Sequence, residues 1–346
     1  MDGFLEGSAV SVISVLVALV PVVVFLVVLF FMDRFKLVRP DAVLTAIAWG
    51  AVAAAVSLGI NGVLLRNIPE SIVERYVAPL IEEAAKAVPL IIWLKRGRIG
   101  FLVDAAIVGF AVGTGFALVE NVHYLSAMSG SLALWVVRGF GTAMLHGGTS
   151  AIFAMLANTA ADRQTSRGGV AFANGWLAAV LIHAVFNYQL LPAVAQMLLI
   201  LIALPLLMLS VFSRSERAVA EWIGAGLDLD VNLLQLITSD VFEETRMGQY
   251  LRELRKRLPG TVVADMFCLL RLELELAVQA KAMLMARQAG VDVKTDADFE
   301  ALLNEHDSLR RSIGRTGLLA LKPMQVSSRR DRWHRHVLQT RRAVER

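Results

Sequence analysis

Apolar runs of 18 or more residues fill most of the first 212 positions. They cover residues 9–32, 41–65, 77–94, 101–125, 132–158, 170–190 and 191–212. A helix rises 1.5 Å per residue, so about 20 residues cross the roughly 30 Å hydrocarbon core of a bilayer. The pattern predicts an all-α polytopic membrane helix bundle with about seven spans. Beyond residue 212 the period changes. Phe242–Leu258 and Val262–Gln288 place apolar residues every three or four positions, and Pro259-Gly260 separates them. Leu272, Leu276 and Leu284 alternate with Glu273, Glu275 and Lys281, as on amphipathic helices packed in a small bundle. We therefore expect a transmembrane domain over 1–212 and a C-terminal helical cytoplasmic domain over 213–346.

Composition agrees with that division. The chain is 56% hydrophobic, with a mean hydropathy of +0.60, which places it in the membrane class. Residues 1–212 carry 12 Lys+Arg and 11 Asp+Glu, and residues 213–346 carry 22 and 19. The pI near 9.4 thus reflects small excesses in both parts. Arg329, Arg330, Arg332, Arg335, Arg341, Arg342 and Arg346 form a basic end that could meet anionic lipid or RNA. A solvated tail explains it as well, and no nucleic acid partner is expected. The lone Cys268 excludes an intrachain disulfide and reads as a buried thiol among Met266, Phe267, Leu269 and Leu270. Met1–Ser8 carries Asp2 and Glu6 where a signal peptide needs a basic region, so none is expected.

The loops predict an orientation. Arg34, Lys36 and Arg39, then Lys95, Arg96 and Arg98, then Arg163 and Arg167, then Arg214 and Arg217 all fall on one side. The intervening loops are neutral or balanced. The positive-inside rule puts the N-terminus outside the cytoplasm and the C-terminus inside.

Five ionisable side chains interrupt four of the apolar runs: Glu82, Glu83, Glu120, His146 and His183. Such groups are costly at bilayer depth and mark functional sites by default. Carboxylates and imidazoles are also the groups that activate water, as bases or around a metal. Helical spacing puts Lys86 on a face with Glu82 or Glu83. It also puts Thr142, His146 and Ser150 on one stripe, which Arg138 extends by a turn toward a carboxylate partner. Asn187 shares a face with His183. Gly109, Gly113 and Gly115 precede Glu120-Asn121 and permit close helix approach. In the predicted topology the charged positions sit at matched depth in the outer half of the bilayer. Glu82, Glu83, Glu120, His146 and His183 should therefore converge within roughly 4–8 Å, the span of a shared metal or water. His123 at the surface, Asp104 at the interface and His306, His334 and His336 in solvent are expected to lie outside this cluster.

Glu82-Glu83-x-x-Lys86, Phe116-x-x-x-Glu120-Asn121, the His146 segment and His183-x-x-x-Asn187, in that order, resemble the PrsW family of intramembrane proteases over residues 40–190. That family is grouped with CAAX prenyl endopeptidases and bacteriocin-immunity-type membrane proteins. In the CAAX branch the second motif ends in His where this chain has Glu120. The resemblance implies peptide-bond hydrolysis within a bacterial cell membrane. The implied substrate is a membrane protein such as an anti-sigma factor, cut near its extracytoplasmic side. Two mechanisms fit the residues. In one, Zn²⁺ is held by Glu120, His146 and His183, with Glu83 a further candidate, and Glu82 or Glu83 serves as base. In the other, a glutamate activates water without a metal, and His183 with Asn187 stabilises the oxyanion. A non-catalytic scaffold or immunity-type binder and a proton-coupled transporter stay open as rival classes. The tail, on the far side from the site, is expected to serve a cytoplasmic partner rather than the chemistry.

Overall fold

The computed structural model describes residues 12–33, 38–162, 168–289, 291 and 297–321. Among these residues the secondary structure is all helical. The chain divides into two compact units, 1–215 and 216–346.

The first unit begins with α1 (Val12–Met32) and α2 (Pro40–Leu64). A short α3 (Glu70–Ile72) runs through a π-helical turn, Val73–Val77, into α4 (Ala78–Lys95). Then come α5 (Leu102–Ala127), α6 (Leu132–Val137), a second π-turn, Arg138–Thr142, and α7 (Ala143–Asp162). The last two helices are α8 (Gly168–Asn187) and α9 (Ala193–Ile237), which runs through the division at Ser215. Five stretches are long and apolar enough to cross a membrane: α1, α2, α5, Leu132–Ala161 and α9. The chain is a multi-pass membrane helix bundle. The remaining two predicted spans form α4 and α8. α4 falls short of that measure because four charges, Glu82, Glu83, Lys86 and Lys95, lie on it, and the described side chains of α8 give a shorter apolar helix, Phe172–Asn187.

α5 is the axis of the bundle. Of its apolar window 83% is buried, against 28% for α1 and α2 and 22% for α9. Its glycines explain the difference. A β-carbon on Gly113 would clash with the His146 carbonyl, one on Gly109 with the Ser150 carbonyl, and one on Gly115 with the Ile47 carbonyl. Backbone therefore meets backbone on both flanks of α5, as the small residues predict. At its N-terminus Asp104 Oδ2 accepts from the Gly100 and Phe101 amides at 2.9 and 3.1 Å. Asp104 is buried, and it satisfies amides that the helix start leaves open. Next to it, the Val103 amide donates to Ser215 Oγ at 3.2 Å.

The second unit holds the remainder of α9, a 3₁₀ turn (Asp240–Glu244), α10 (Arg246–Leu254), α11 (Gly260–Gln288) and α12 (Ala297–Leu321). The predicted helix over 242–258 is split where Thr245 Oγ1 accepts from the Gly248 amide and caps α10. Phe242, Leu251, Met266, Leu269, Leu270, Ile313 and Leu321 form its core. Two expectations are corrected here. Cys268 is exposed, because at 100° per residue it faces away from the stripe of Met266, Leu269 and Leu270. His306 is buried, with Nε2 3.7 Å from Glu273 and Nδ1 3.4 Å from Asp307. His334, His336 and the basic C-terminal end lie outside the described residues, as do Arg34, Lys36, Arg163 and Arg167.

Candidate active site

α4 follows directly on a π-turn, and Pro79 in its first turn has no amide hydrogen to continue that turn's ladder. One turn later it buries Glu82, Glu83 and Lys86. Glu83 Oε1 is the most heavily used acceptor. It takes hydrogen bonds from Lys86 Nζ at 2.6 Å, His183 Nδ1 at 2.8 Å and Thr149 Oγ1 at 3.1 Å. Glu82 is less committed. Its Oε1 accepts from Asn61 Nδ2 of α2 at 3.2 Å, and its Oε2 lies 3.8 Å from His183 Nε2.

α7 brings His146 to the same place. Lys86 Nζ donates to its Nδ1 at 3.1 Å, which leaves Nε2–H to donate to Glu120 Oε2 at 3.0 Å. The His146 and His183 rings meet edge to face with centroids 5.0 Å apart. Phe116 packs on the His146 ring at 4.8 Å and lies under Lys86 Nζ, also at 4.8 Å. The three named members of the predicted motif Phe116-x-x-x-Glu120-Asn121 thus split their duties: Phe116 walls the imidazole, Glu120 holds it, and Asn121 holds Arg138. Arg138 Nε donates to Asn121 Oδ1 at 3.0 Å, and its Nη2 lies 3.3 Å from Glu120 Oε2.

Glu82, His146 and His183 each offer one donor atom within 4.8 Å of the others, and all three are buried. Two nitrogens and a carboxylate oxygen with a fourth position left to water are a common catalytic zinc set. Bonds of about 2.0–2.1 Å place tetrahedral donors about 3.4 Å apart, and the His183 Nε2–Glu82 Oε2 separation is 3.8 Å. His183 Nδ1–H rests on the Glu83 carboxylate, so its Nε2 lone pair is free. This is the second interaction that orients most metal-binding histidines. With Nε2–H held by Glu120, the lone pair that His146 offers is on Nδ1, where an ion would displace the hydrogen bond from Lys86 and leave the Glu120 carboxylate unprotonated. The residues present fit a divalent ion of zinc type.

The five predicted ionisable residues converge, and Lys86, Asn121 and Arg138 touch them. The grouping within the cluster differs from the predicted ligand set of Glu120, His146 and His183. Glu82 completes the three-donor group, while Glu120 bonds to one of its histidines. Asn187 is not brought to the ionisable groups. Its Nδ2 donates to the Glu74 carbonyl at 2.9 Å and ties the end of α8 to the first π-turn. Tyr188 joins the same tether through its hydroxyl contact with Tyr76. On α7, Thr149 rather than Ser150 faces the carboxylates. The Ser150 hydroxyl is buried without a hydrogen-bond partner. Sequence reasoning missed Asn61 and Thr149. The available signal for Asn61 was an isolated amide inside the apolar run 41–65.

Residues 39–212 match the family described as PrsW family intramembrane metalloprotease. No curated protein and no solved structure matches the chain.

Proposed function

Because the chain belongs to the PrsW family of intramembrane metalloproteases, we propose that it is a membrane-embedded peptidase whose ion is held by Glu82, His146 and His183. The observation that carries this reading is the convergence of those three buried donors, from α4, α7 and α8, within 4.8 Å. When bound, a zinc-type ion supplies a Lewis acid that acidifies water and polarises a carbonyl. The protein supplies the rest. Glu83 fixes the His183 tautomer through Nδ1 and is charge-balanced by Lys86. Glu120 receives the proton of the attacking water and returns it to the leaving nitrogen, the acid–base role suited to a carboxylate. The walls of Phe116 and the α5–α7 backbone contact exclude bulk water. A second assignment has Glu120 as the third donor and Glu82 as base. The 3.0 Å contact of Glu120 with His146 favours it.

The substrate proposed is a membrane protein, with an anti-sigma factor as the form the family resemblance suggests. The site would open to the extracytoplasmic side, with residues 213–346 in the cytoplasm serving a partner there. The basic loops support that orientation. A scaffold would keep the fold without the chemistry, and a proton-coupled transporter would move ions through the same carboxylates.

The test uses the full chain purified in detergent with a fluorogenic transmembrane peptide. Bound zinc at one per chain, removed by chelator together with cleavage, is the expected result. Glu82→Gln should lose both zinc and cleavage, whereas Glu120→Gln should keep zinc and lose cleavage. The reverse pattern would exchange the roles of the two glutamates. Cleavage that survives full metal removal would sink the metal reading.

A further inference from the structure

Arg138 is a guanidinium held among intramembrane helices, and four contacts fix its position. Nε donates to Asn121 Oδ1 at 3.0 Å, and Asn121 Nδ2 is itself anchored on the Ala18 carbonyl of α1 at 2.8 Å. The guanidinium carbon stands 3.8 Å above the Tyr124 ring. Nη2 lies 3.3 Å from Glu120 Oε2, the same oxygen that His146 Nε2 reaches at 3.0 Å. The π-turn Arg138–Thr142 makes this shared reach attainable. Residues four apart drift by about 40° on a regular α-helix, so Arg138 and His146, eight apart, would diverge by about 80°. A π-turn takes up one extra residue and removes much of that drift.

One detail separates this arginine from an ordinary ion-pair staple. A staple aligns its nitrogens with the carboxylate, commonly in a two-pronged bond. Arg138 Nη2 is buried, within ion-pair distance of Glu120, and makes no hydrogen bond. A buried donor that makes no hydrogen bond and is held only by an ion pair is costly, and its persistence calls for a reason. The donor stands one carboxylate away from a histidine of the candidate metal set.

We propose that Arg138 is a catalytic residue that donates through Nη2 to the carbonyl oxygen of the scissile peptide as that oxygen gains negative charge. The inference rests on the hydrolytic reading above. The water oxygen bonds to the carbonyl carbon, its proton passes to Glu120, and the carbonyl π pair moves onto oxygen. When the C–N bond breaks, that pair returns and the proton passes from Glu120 to the nitrogen. Arg138 stays protonated throughout, so its fixed donors stabilise the charged stage more than the planar one. Asn187, the residue predicted for this duty, is engaged with Glu74.

The experiment measures binding of a phosphinic transmembrane peptide, a tetrahedral anion that cannot be cut, to the zinc-loaded full chain. Zinc content is measured alongside. Arg138→Gln should weaken binding about 100-fold, the scale of losing one such donor, at unchanged zinc content and with little change in KM for the cleavable peptide. The same loss should appear when Arg138→Gln is made in a Glu120→Gln background. If the loss vanishes there, or if zinc is lost, Arg138 acts only by positioning Glu120 and the proposal is overturned. If Arg138→Gln fails to fold, Arg138→Lys decides. Weaker phosphinate binding with zinc intact supports the proposal, and unchanged binding overturns it. A wild-type chain that does not bind the phosphinate also overturns it. One that binds phosphinate but cuts nothing refutes the hydrolytic reading itself, and the assignment of Arg138 falls with it.

Discussion

Lys86 in the first unit and Lys281 in the second are both buried ammonium groups 2.6 Å from a carboxylate, yet they keep different company. Lys281 meets Asp230 and stands 4.9 Å from the face of Trp222. Lys86 meets Glu83, whose same oxygen also serves His183 and Thr149, and it donates onward to His146. The first is a local staple between α9 and α11. The second is one link in a chain of shared atoms that connects α4, α5, α7 and α8 and ends at Arg138. A buried ion pair is weak evidence for stability, since apolar residues of similar volume often do as well. What distinguishes the membrane cluster is that no member can be exchanged without leaving another unsatisfied. Burial alone says little about function, whereas shared acceptors with open donor positions point to chemistry.

Breaking the network at its metal-facing end should give the largest effect. Glu82→Gln or His183→Ala should lower kcat/KM by on the order of 10³-fold or more, the scale of removing a member of a cooperating catalytic set. Bound zinc should fall in parallel. Cleavage of a fluorogenic membrane peptide and metal analysis check it. Retained zinc in both variants would place the ion elsewhere.

The comparison itself is tested by paired lysine changes. Lys86→Met should destabilise by about 3–5 kcal/mol because it strands the buried Glu83 carboxylate, and Lys281→Met by less because Asp230 is only partly buried. Their functional consequences should diverge. Lys86→Met should also weaken zinc binding about 10–100-fold, the cost of disturbing groups behind metal ligands. Lys281→Met should leave zinc affinity unchanged, and adding Asp230→Leu should restore most of its stability. A Glu83→Leu/Lys86→Met double variant that kept its zinc would erase the distinction. Melting in detergent and zinc titration read both halves.

The smaller link at Thr149 sharpens the same point. Thr149→Val keeps the shape and removes one donor to Glu83, so a cost of about 1–2 kcal/mol is expected. His183 should stay in place because its own bond to Glu83 is shorter. A zinc affinity lowered by more than tenfold would mean that Thr149 sets the position of Glu83 and does not merely satisfy it.

Much of this arrangement is legible along the chain because charge stands out against apolar surroundings. Glu82, Glu83, Glu120, His146 and His183 each interrupt an apolar run, and the glycines of α5 announce a close approach. What stays hidden depends on rotamer and packing rather than spacing. Glu82 and Glu83 are adjacent, so periodicity cannot say which faces the metal position. Asn61 reaches Glu82 only because α2 packs beside α4, and an amide in a membrane helix has no distinctive pattern. The stripe through Thr142 assumed a regular helix, and the π-turn at Arg138–Thr142 breaks that assumption, whereas Ser150 lies beyond the turn and loses the carboxylates to its neighbour Thr149. In the second unit the phase of α11 exposes Cys268 despite its apolar neighbours. The pairing of α11 with α12 buries His306 beside Glu273. Both outcomes follow from helix contacts that a local window does not contain.

Asn187 offers the finest test, because spacing and structure assign it different work. Four residues after His183 on one helix face, it was expected to help stabilise the oxyanion. It instead donates to the Glu74 carbonyl and anchors the end of α8 against the π-turn that leads into Glu82 and Glu83. A tether of this kind is worth about 0.5–1.5 kcal/mol net. Losing it should loosen the turn without removing a group from the reacting atoms. Asn187→Ala is therefore expected to lower thermal stability slightly, keep its zinc, and change kcat by no more than a few-fold. An oxyanion donor behaves otherwise: its loss lowers kcat about 10²–10³-fold with stability nearly unchanged. That second outcome would return Asn187 to the chemistry and show that the turn rearranges when substrate binds. It would also set Asn187 against Arg138 as the donor. Parallel phosphinate binding by the two variants separates them, since only the true donor loses affinity for the tetrahedral anion.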